Sequence, residues 1–327
     1  MRDTCNYRKL FDDIVNNLER MKRNIDCNNQ LIEGDLERRN GLSEGIGLAI
    51  DIVKETARLN KIIYEKKIMV FATGDIHGNP FNRFSTDAFY EQKEFSKNKD
   101  ENVCIICGDF GIVWQNYEES SDEQWKLDWL ESKPFTTVFV DGNHDNHPQI
   151  NMYPVQEWNG GLVHQIRPHV LHLIRGEVYE IQGKKFFCFG GASSHDIQDG
   201  ILDPYDFKDI KEFKNTWKKW EKEYRMFRVK GITWWSQELP TEEEMQNGIK
   251  NLEKHNWKVD YIITHSPPAS VIALLGKGLY EQDVLTEYLE EIRVKTEYER
   301  WIAGHMHTNK AINAKDILLY EQIIRIV

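Results

Sequence analysis

The stretch Val70-Phe-Ala-Thr-Gly-Asp75-Ile-His77-Gly-Asn79 decides the fold of this chain. Its apolar part, residues 68–71, is rich in β-branched and aromatic side chains and predicts a buried strand. The glycine-flanked Asp75-Ile-His77 that follows predicts a turn. This turn carries a carboxylate and an imidazole two positions apart, and both are ligand types of metal sites.

Four later segments repeat this arrangement of an apolar strand followed by a ligand-type side chain. They are residues 103–109, 137–145, 261–265 and 301–307. Because open α/β sheets bind ligands beyond the carboxyl ends of their strands, we expect these side chains to converge on one crevice. The candidate metal ligands are Asp75, His77, Asp109, Asn143, His265, His305 and His307. They are too many for one zinc ion and suit two divalent cations of the manganese, iron or zinc type.

The bulk properties limit the classes of protein. A net charge of −11 argues against long-range attraction to nucleic acid, although two bound cations would invert the local field and admit a phosphate. No run of 18 apolar residues and no basic-then-apolar leader occurs, so we expect a cytoplasmic protein without membrane association. The five scattered cysteines predict no disulfide framework. Cys104 and Cys107 should be core residues on opposite faces of one strand.

Residues 1–66 form a separate unit, predicted to be a helical hairpin. Apolar residues from Phe11 to Ile25 recur at spacings of three and four, which predicts an amphipathic helix. Gly41, Gly45 and Gly47 predict a break before a second helix. The apolar stripe of this hairpin would pack against the rest of the chain, a second copy or a partner protein.

Residues 67–327 form the main domain. Strands alternate with helices near 86–97 and 121–132 and give way to short strands between 160 and 190, which predicts two packed sheets. An insertion at about 203–230 follows. Its residues 206–230 hold nine Lys or Arg against five acids, and an aromatic stripe from Ile210 to Phe227 has helical spacing. This helix either packs its aromatic face and solvates its lysines, or binds single-stranded nucleic acid.

Taken in order, the five ligand-bearing segments resemble the calcineurin-like metallophosphoesterase superfamily, whose blocks read Asp-x-His, Gly-Asp, Gly-Asn-His-Asp or Glu, a lone His, and Gly-His-x-His. The stretches at 190–196 and 234–240 are similar to its compact bacterial and prophage branch. The resemblance covers residues 67–327. It implies an α/β fold, a four-layer αββα sandwich of two mixed sheets, and a binuclear metal-dependent phosphoester hydrolase.

The resemblance also implies how the ligands are divided between the metals. One metal would be bound by Asp75, His77 and His307, and the other by Asn143, His265 and His305, with Asp109 bridging the two. We expect manganese, with iron, zinc and nickel as alternatives. A hydroxide bridging the two metals would attack phosphorus in line and invert its configuration.

Four residues are candidates for catalysis or substrate binding. His144 is the candidate general acid for the leaving oxygen, and Asp145 would orient its ring or raise its pKa. His195 and the adjacent Asp196 would bind a metal, contact the substrate or pack within their loop. Asn79 would contact phosphate. The remaining histidines have no such context and are not assigned a role. They include His147, His164, His169, His172 and His255.

The substrate class stays open between a phosphatase and a phosphodiesterase, the latter acting on a nucleotide or nucleic acid. One alternative is a Ser/Thr-type protein phosphatase. It is disfavoured because Phe-Gly-Ile-Val-Trp follows Asp109 where that branch has Asp-Arg-Gly. The other is a non-catalytic, metal-containing regulatory protein that recruits a partner through its N-terminal hairpin.

Overall fold

The computed structural model describes residues 13–23, 33–59, 69–95, 98–276 and 282–327. The chain divides into two compact units, residues 1–67 and 68–327. The helices are α1 (13–23), α2 (Glu33–Leu59), α3 (Phe81–Phe84), α4 (Ser121–Glu131), α5 (His147–Ile150), α6 (Ile210–Lys222), α7 (Glu242–Lys254), α8 (Ala269–Gly276) and α9 (Val284–Lys295). In these described parts of the chain, no helix is long and apolar enough to span a membrane.

The first unit contains α1 and α2, which contact each other. Lys54 Nζ of α2 donates to Glu19 Oε1 of α1 at 3.4 Å, and a Cβ at Gly47 would lie 3.2 Å from Lys22 Nζ. The predicted glycine break is wrong, because α2 runs unbroken through all three glycines. A glycine inside a helix costs only about 1 kcal/mol relative to alanine, which a 27-residue helix tolerates. The predicted helix ends at Phe11, at Ile25 and beyond residue 59 lie outside the described residues.

The second unit is built on two mixed sheets. The strands are β1 (Val70–Thr73), β2 (Val103–Cys107), β3 (Thr136–Val140), β4 (Val155–Trp158), β5 (Gly161–Arg167), β6 (Val170–Leu173), β7 (Glu177–Ile181), β8 (Lys184–Phe189), β9 (Gly200–Leu202), β10 (Phe227–Val229), β11 (Tyr261–Thr264), β12 (Arg300–Ala303), β13 (Lys310–Ala311), β14 (Asp316–Leu318) and β15 (Ile323–Arg325). One sheet has the order β15-β1-β2-β3-β6-β5-β4, and the other has the order β13-β14-β12-β11-β8-β7.

The two sheets pack face to face. Side chains of alternate strand residues, such as Ile105 on the first sheet and Ile263 on the second, share one buried core. Cys104 and Cys107 lie in different cores on the two faces of β2, as predicted, and both are free thiols. Burial raises the pKa of both thiols. These cysteines are therefore packing residues.

Helices cover the outer faces of both sheets. Leu127 and Leu130 of α4 pack on the first sheet. Leu252 of α7 and Leu285 and Leu289 of α9 pack on the second. The predicted four-layer αββα sandwich of two mixed sheets is confirmed.

Of the segment predicted to be a helix near 86–97, the structure describes residues 86–95, which are largely irregular and contain a short 3-10 helix, Tyr90–Glu94. Its aromatic residues serve the core, since Phe89 packs edge-on against Phe71 at 4.8 Å. The amide of Gln92 donates to the carbonyls of Phe84, Ser85 and Phe89 and satisfies this irregular backbone. The sequence also did not predict α8, β4 or β15.

The segment of β9, α6 and β10, residues 200–229, is called the insertion below. β9 and β10 pair in parallel, and Leu202, Phe213 and Val229 form a small core under α6. The aromatic stripe continues to Phe227, but α6 ends at Lys222, and Phe227 enters β10 instead. The middle of the stripe, Phe213, Trp217 and Trp220, thus packs inside the insertion together with Phe227. Its members Ile210 and Tyr224 are exposed, and the lysines of α6 face solvent.

Candidate active site and metal centre

All seven predicted metal ligands follow the carboxyl ends of parallel strands. β1, β2 and β3 are parallel neighbours in the first sheet, and β11 and β12 are parallel neighbours in the second. Asp75 and His77 follow β1, and Asp109 follows β2. Asn143 follows β3, His265 follows β11, and His305 and His307 follow β12. The face-to-face packing of the sheets brings these loops to one edge.

Four of the ligands form a compact group. One ligand atom from each of Asp75, His77, Asp109 and His307 lies within 4.8 Å of the others. The Nε2 atoms of His77 and His307 face each other at 3.1 Å. Asp75 Oδ2 is buried, has no hydrogen-bond partner among the described residues, and lies 3.3 Å from His307 Nε2. An unsatisfied buried carboxylate oxygen beside two imidazole nitrogens fits a divalent cation.

The other three ligands gather on the opposite side of Asp109. His265 Nε2 lies 3.3 Å from both Asn143 Oδ1 and Asp109 Oδ1. His265 Nδ1 lies 2.8 Å from the carbonyl of Cys107, a contact in which Nδ1–H donates and Nε2 stays available for a metal. The ring of His305 packs 4.9 Å from that of His265. Asp109 therefore lies between two groups of ligands.

The backbone at this site adopts conformations that side chains rarely take. His77, Asp109, His305 and His307 have φ values of 44°, 46°, 65° and 44°. Non-glycine residues in this left-handed region cost free energy and concentrate at functional sites. The glycine before Asn143 is also required, because a Cβ at Gly142 would lie 2.2 Å from Asp109 Oδ1.

Charges within the site shift the pKa values of its groups. Burial alone would raise the pKa of Asp109, but the adjacent His265 and two other rings hold that pKa far below its usual range. Burial opposes protonation of His265, yet Asp109 raises its pKa well above the usual value. Burial lowers the pKa of His77 and of His305. These two imidazoles are thus neutral at neutral pH, which is the metal-binding form.

His144 borders the ligands at the mouth of the site. Its backbone N–H donates to Asp109 Oδ1 at 2.7 Å, and its ring packs edge-on against His77 at 5.0 Å. Arg228 of the insertion brings Nη2 to 2.7 Å from His144 Nε2. Burial, aided by Arg228, lowers the pKa of His144 to about 4, although Asp109 acts in the opposite direction. The ring is neutral at neutral pH before substrate binds.

Asp145 does not contact the ring of His144 in the way the sequence suggested. Its Oδ2 accepts from the backbone N–H of Gly142 at 2.8 Å and of Phe110 at 3.2 Å, and its Oδ1 accepts from that of Gly111 at 2.7 Å. Both oxygens are thus bound to backbone, and they join the loop after β2 to the loop after β3. Arg228, rather than Asp145, contacts the His144 ring.

The sequence did not identify Arg228, which was only one of nine basic residues between positions 206 and 230. Its signal was the alternation Phe227-Arg-Val229, which is typical of a strand with one side chain directed away from the local core. The other basic residues of that segment lie mostly at helical positions. An arginine at a strand position, with the acidic residue Asp196 in a preceding loop, was the sequence feature that could have indicated a buried ion pair.

The predicted substrate residues differ in position. His195 Nε2 lies 2.8 Å from His305 Nε2, and both line a cavity of about 310 Å³ at the metal ligands. The other lining residues are Asp109, Asn143, His144, Asp196, Met306 and His307. Asn79 instead accepts from the backbone N–H of Phe81 at 3.3 Å, at the start of α3. Its contact with phosphate stays a prediction.

Comparison with known proteins identifies related sequences. Residues 68–309 match the family model of the calcineurin-like phosphoesterases, and this span contains all seven predicted ligands. The chain is also 22% identical over 179 residues to the lariat debranching enzyme of Schizosaccharomyces pombe. The matched part is 54% of this chain and 34% of that relative, so the chain spans about a third of the relative's length.

Proposed function

This chain belongs to the calcineurin-like phosphoesterase family and is a metal-dependent phosphoester hydrolase, and from that premise we propose that it cleaves phosphodiesters with two bound manganese ions. The observation that carries the proposal is the buried, unpartnered Asp75 Oδ2 among imidazole nitrogens, with Asp109 between two ligand groups. Such a donor set fits two divalent cations that share a carboxylate.

The ligands divide between two positions. Asp75, His77 and His307 would hold one ion, and Asn143, His265 and His305 the other, with Asp109 contacting both. When bound, the two ions lower the pKa of a water molecule and neutralise charge that develops on the phosphoryl oxygens. The protein orients this donor set through the strained loops after β1, β2 and β12.

His144 is the candidate proton donor. Its ring is neutral in the free protein, but an anionic phosphoester beside it would favour the charged form of the imidazole. The protonated ring would then donate to the leaving oxygen, which otherwise departs as a strongly basic alkoxide. In-line attack from the opposite side would invert the configuration at phosphorus, and retention in a chiral phosphate assay would contradict it.

The preference for a diester follows from the charges at the site. A monoester dianion carries one more negative charge than a diester. The guanidinium that contacts His144, that of Arg228, is already paired with Asp196. The paired guanidinium leaves little positive charge beyond the two metal ions, which suits the singly charged diester.

The test compares nitrophenyl monoester and diester substrates with added manganese. Wild type should hydrolyse the diester faster than the monoester, and Asp109→Asn should reduce diester turnover on the order of 10³-fold. Asp87→Asn, which changes an exposed aspartate, is the matched control and should leave turnover unchanged. Faster monoester hydrolysis would instead favour a phosphatase. Metal binding without turnover of either ester would favour the regulatory binding protein.

A further inference from the structure

Arg228 is an unusual member of the insertion because its side chain is only 6% exposed. The lysines of α6 lie in solvent, as Lys219 does with 66% of its side chain exposed. Arg228 projects from β10 toward the metal ligands, whereas its neighbours Phe227 and Val229 pack in the small core of the insertion. The fold of the insertion thus determines where this guanidinium lies.

The guanidinium of Arg228 is held at three points. Its Nε and Nη2 donate to the two carboxylate oxygens of Asp196 at 2.7 and 2.8 Å, and its Nη1 donates to the carbonyl of Thr233 at 3.0 Å. A planar guanidinium bound by a carboxylate on one edge has little freedom to turn. Nη2 is thereby directed at the ring of His144, 2.7 Å from Nε2 and 3.2 Å from Nδ1.

The anchors of Arg228 are themselves fixed. Thr233 exchanges two hydrogen bonds of 2.8 Å with the backbone of Val229, so the turn after β10 is closed. Asp196 belongs to the loop after β8, whose Ser194 is bonded to the buried Glu238. His195 of the same loop faces the ligand His305. Arg228 therefore connects the insertion, this loop and His144.

We propose that Arg228 is a positioning residue through which the insertion sets the orientation of His144 toward the leaving oxygen. The inference rests on the proposed role of His144 as proton donor. His144 and Asp196 line the cavity, whereas the Arg228 side chain that bonds to both is only 6% exposed, which favours action through the histidine over contact with substrate. A stabilising ion pair alone would need Asp196 but not the contact with the His144 ring.

This role predicts a kinetic pattern that lost stability would not produce. A misplaced proton donor slows esters with strongly basic leaving oxygens more than esters that release nitrophenolate. Arg228→Ala should lower kcat for an alkyl phosphodiester on the order of 10-fold to 100-fold, because small misplacements of catalytic groups cost about that much. For the nitrophenyl ester the loss should stay below about 3-fold, with KM unchanged for both.

The experiment is a double-mutant cycle on the two diesters with manganese, using wild type, Arg228→Ala, His144→Ala and the double variant. The double variant should be no slower than His144→Ala alone, because Arg228 acts through His144. Lys219→Ala, in the same insertion but exposed, is the control and should match wild type. Equal losses for both esters, or multiplied losses in the double variant, would overturn the proposal.

One further variant guards against misfolding of Arg228→Ala, and the comparison with His144→Ala separates the role of Arg228 from that of His144. Asp196→Asn keeps Arg228 but weakens its anchor, and should show the same leaving-group pattern in weaker form. If His144→Ala itself loses no more on the alkyl ester than on the nitrophenyl ester, both the proton donor and its positioning residue are refuted. If His144→Ala shows the pattern and both Arg228→Ala and Asp196→Asn lack it, only the role of Arg228 is refuted.

Discussion

The metal centre and a second buried cluster contain the same kinds of side chain but balance their charge differently. The second cluster surrounds Asp141, two residues before the ligand Asn143. We call it the arginine-paired cluster, and it consists of Asp141, His147, His164, His172 and Arg175. It borders a cavity of about 310 Å³. Its three histidines are among those that the sequence left without a role.

Arg175 makes the difference between the two clusters. Its Nε lies 3.1 Å from Asp141 Oδ2, and its Nη2 bonds to the same oxygen. Burial alone would raise the pKa of Asp141, but Arg175, His147 and His172 hold it far below the usual value. Asp75 of the metal centre instead keeps an oxygen that has no hydrogen-bond partner among the described residues. In the second cluster a guanidinium balances the buried aspartate, whereas the family to which the chain belongs implies divalent metal ions at the first.

The largest expected effect is on activity, from Asp75→Asn. This variant should lose bound manganese and turn over diester on the order of 10³-fold more slowly. The metal-free variant should unfold at the same temperature as metal-free wild type or higher, because the substitution removes a buried charge with one oxygen that has no hydrogen-bond partner among the described residues. Metal analysis, kinetics and thermal melts measure these outcomes. A lower melting temperature without metal would show that Asp75 also stabilises the fold.

Asp141→Asn should have the opposite profile. It removes the closer of two carboxylates that pair with the buried Arg175 and leaves only the half-exposed Glu244, so the free energy of unfolding should fall by up to about 3–5 kcal/mol. Manganese content per folded chain should not change. Urea unfolding and metal analysis test this, with Asp87→Asn as the exposed control. If Asp141→Asn lost metal and kept its stability, the proposal that Asp141 serves stability and Asp75 serves metal binding would be wrong.

Manganese should stabilise only proteins with an intact metal centre. At 100 times the dissociation constant, a ligand that binds only the folded state stabilises it by about 2.7 kcal/mol. Wild type and Asp141→Asn should therefore both melt at higher temperature with manganese, whereas Asp75→Asn should not respond. A response in Asp75→Asn equal to that of wild type would place the metal elsewhere.

The smallest expected effect concerns acid stability. The folded state keeps Asp141 ionised, while the unfolded chain takes up a proton as the pH falls below the ordinary pKa of 3.8. The stability that Asp141 supplies is thus present above that pH and is lost as the pH falls further. Urea unfolding between pH 6 and pH 3 should show a steeper loss for wild type than for Asp141→Asn. Equal slopes would indicate that Asp141 is not specially stabilised as an anion.

The sequence brought the candidate ligands to one place, as the structure does, because its signals are local. Each candidate ligand lies within a few residues of the strand that positions it, so a short stretch of sequence shows both the strand and the ligand. The two packed sheets followed from the change between helix-linked and hairpin-linked strands, and the four-layer sandwich followed from the family resemblance. These features depend on short-range order.

The failures depend on distant partners. Arg228 lies 84 residues from His144, and Asp145 binds backbone groups up to 35 residues away. The alternation Phe227-Arg228-Val229 indicates a strand position, but no local pattern shows which distant side chain this arginine contacts. The continuous helix α2 was missed for a different reason, because a modest glycine penalty is outweighed over a long helix.

The pairing of β15 with β1 bears on when the metal centre can form during protein synthesis. β15 lies antiparallel beside the strand that precedes Asp75, about 250 positions earlier in the chain. Arg83 also donates to the carbonyls of Asp75 and of Tyr320. A nascent chain cannot close this edge of the sheet before Arg325 has left the ribosome. Metal uptake that depends on this closed edge would therefore be a late event in folding.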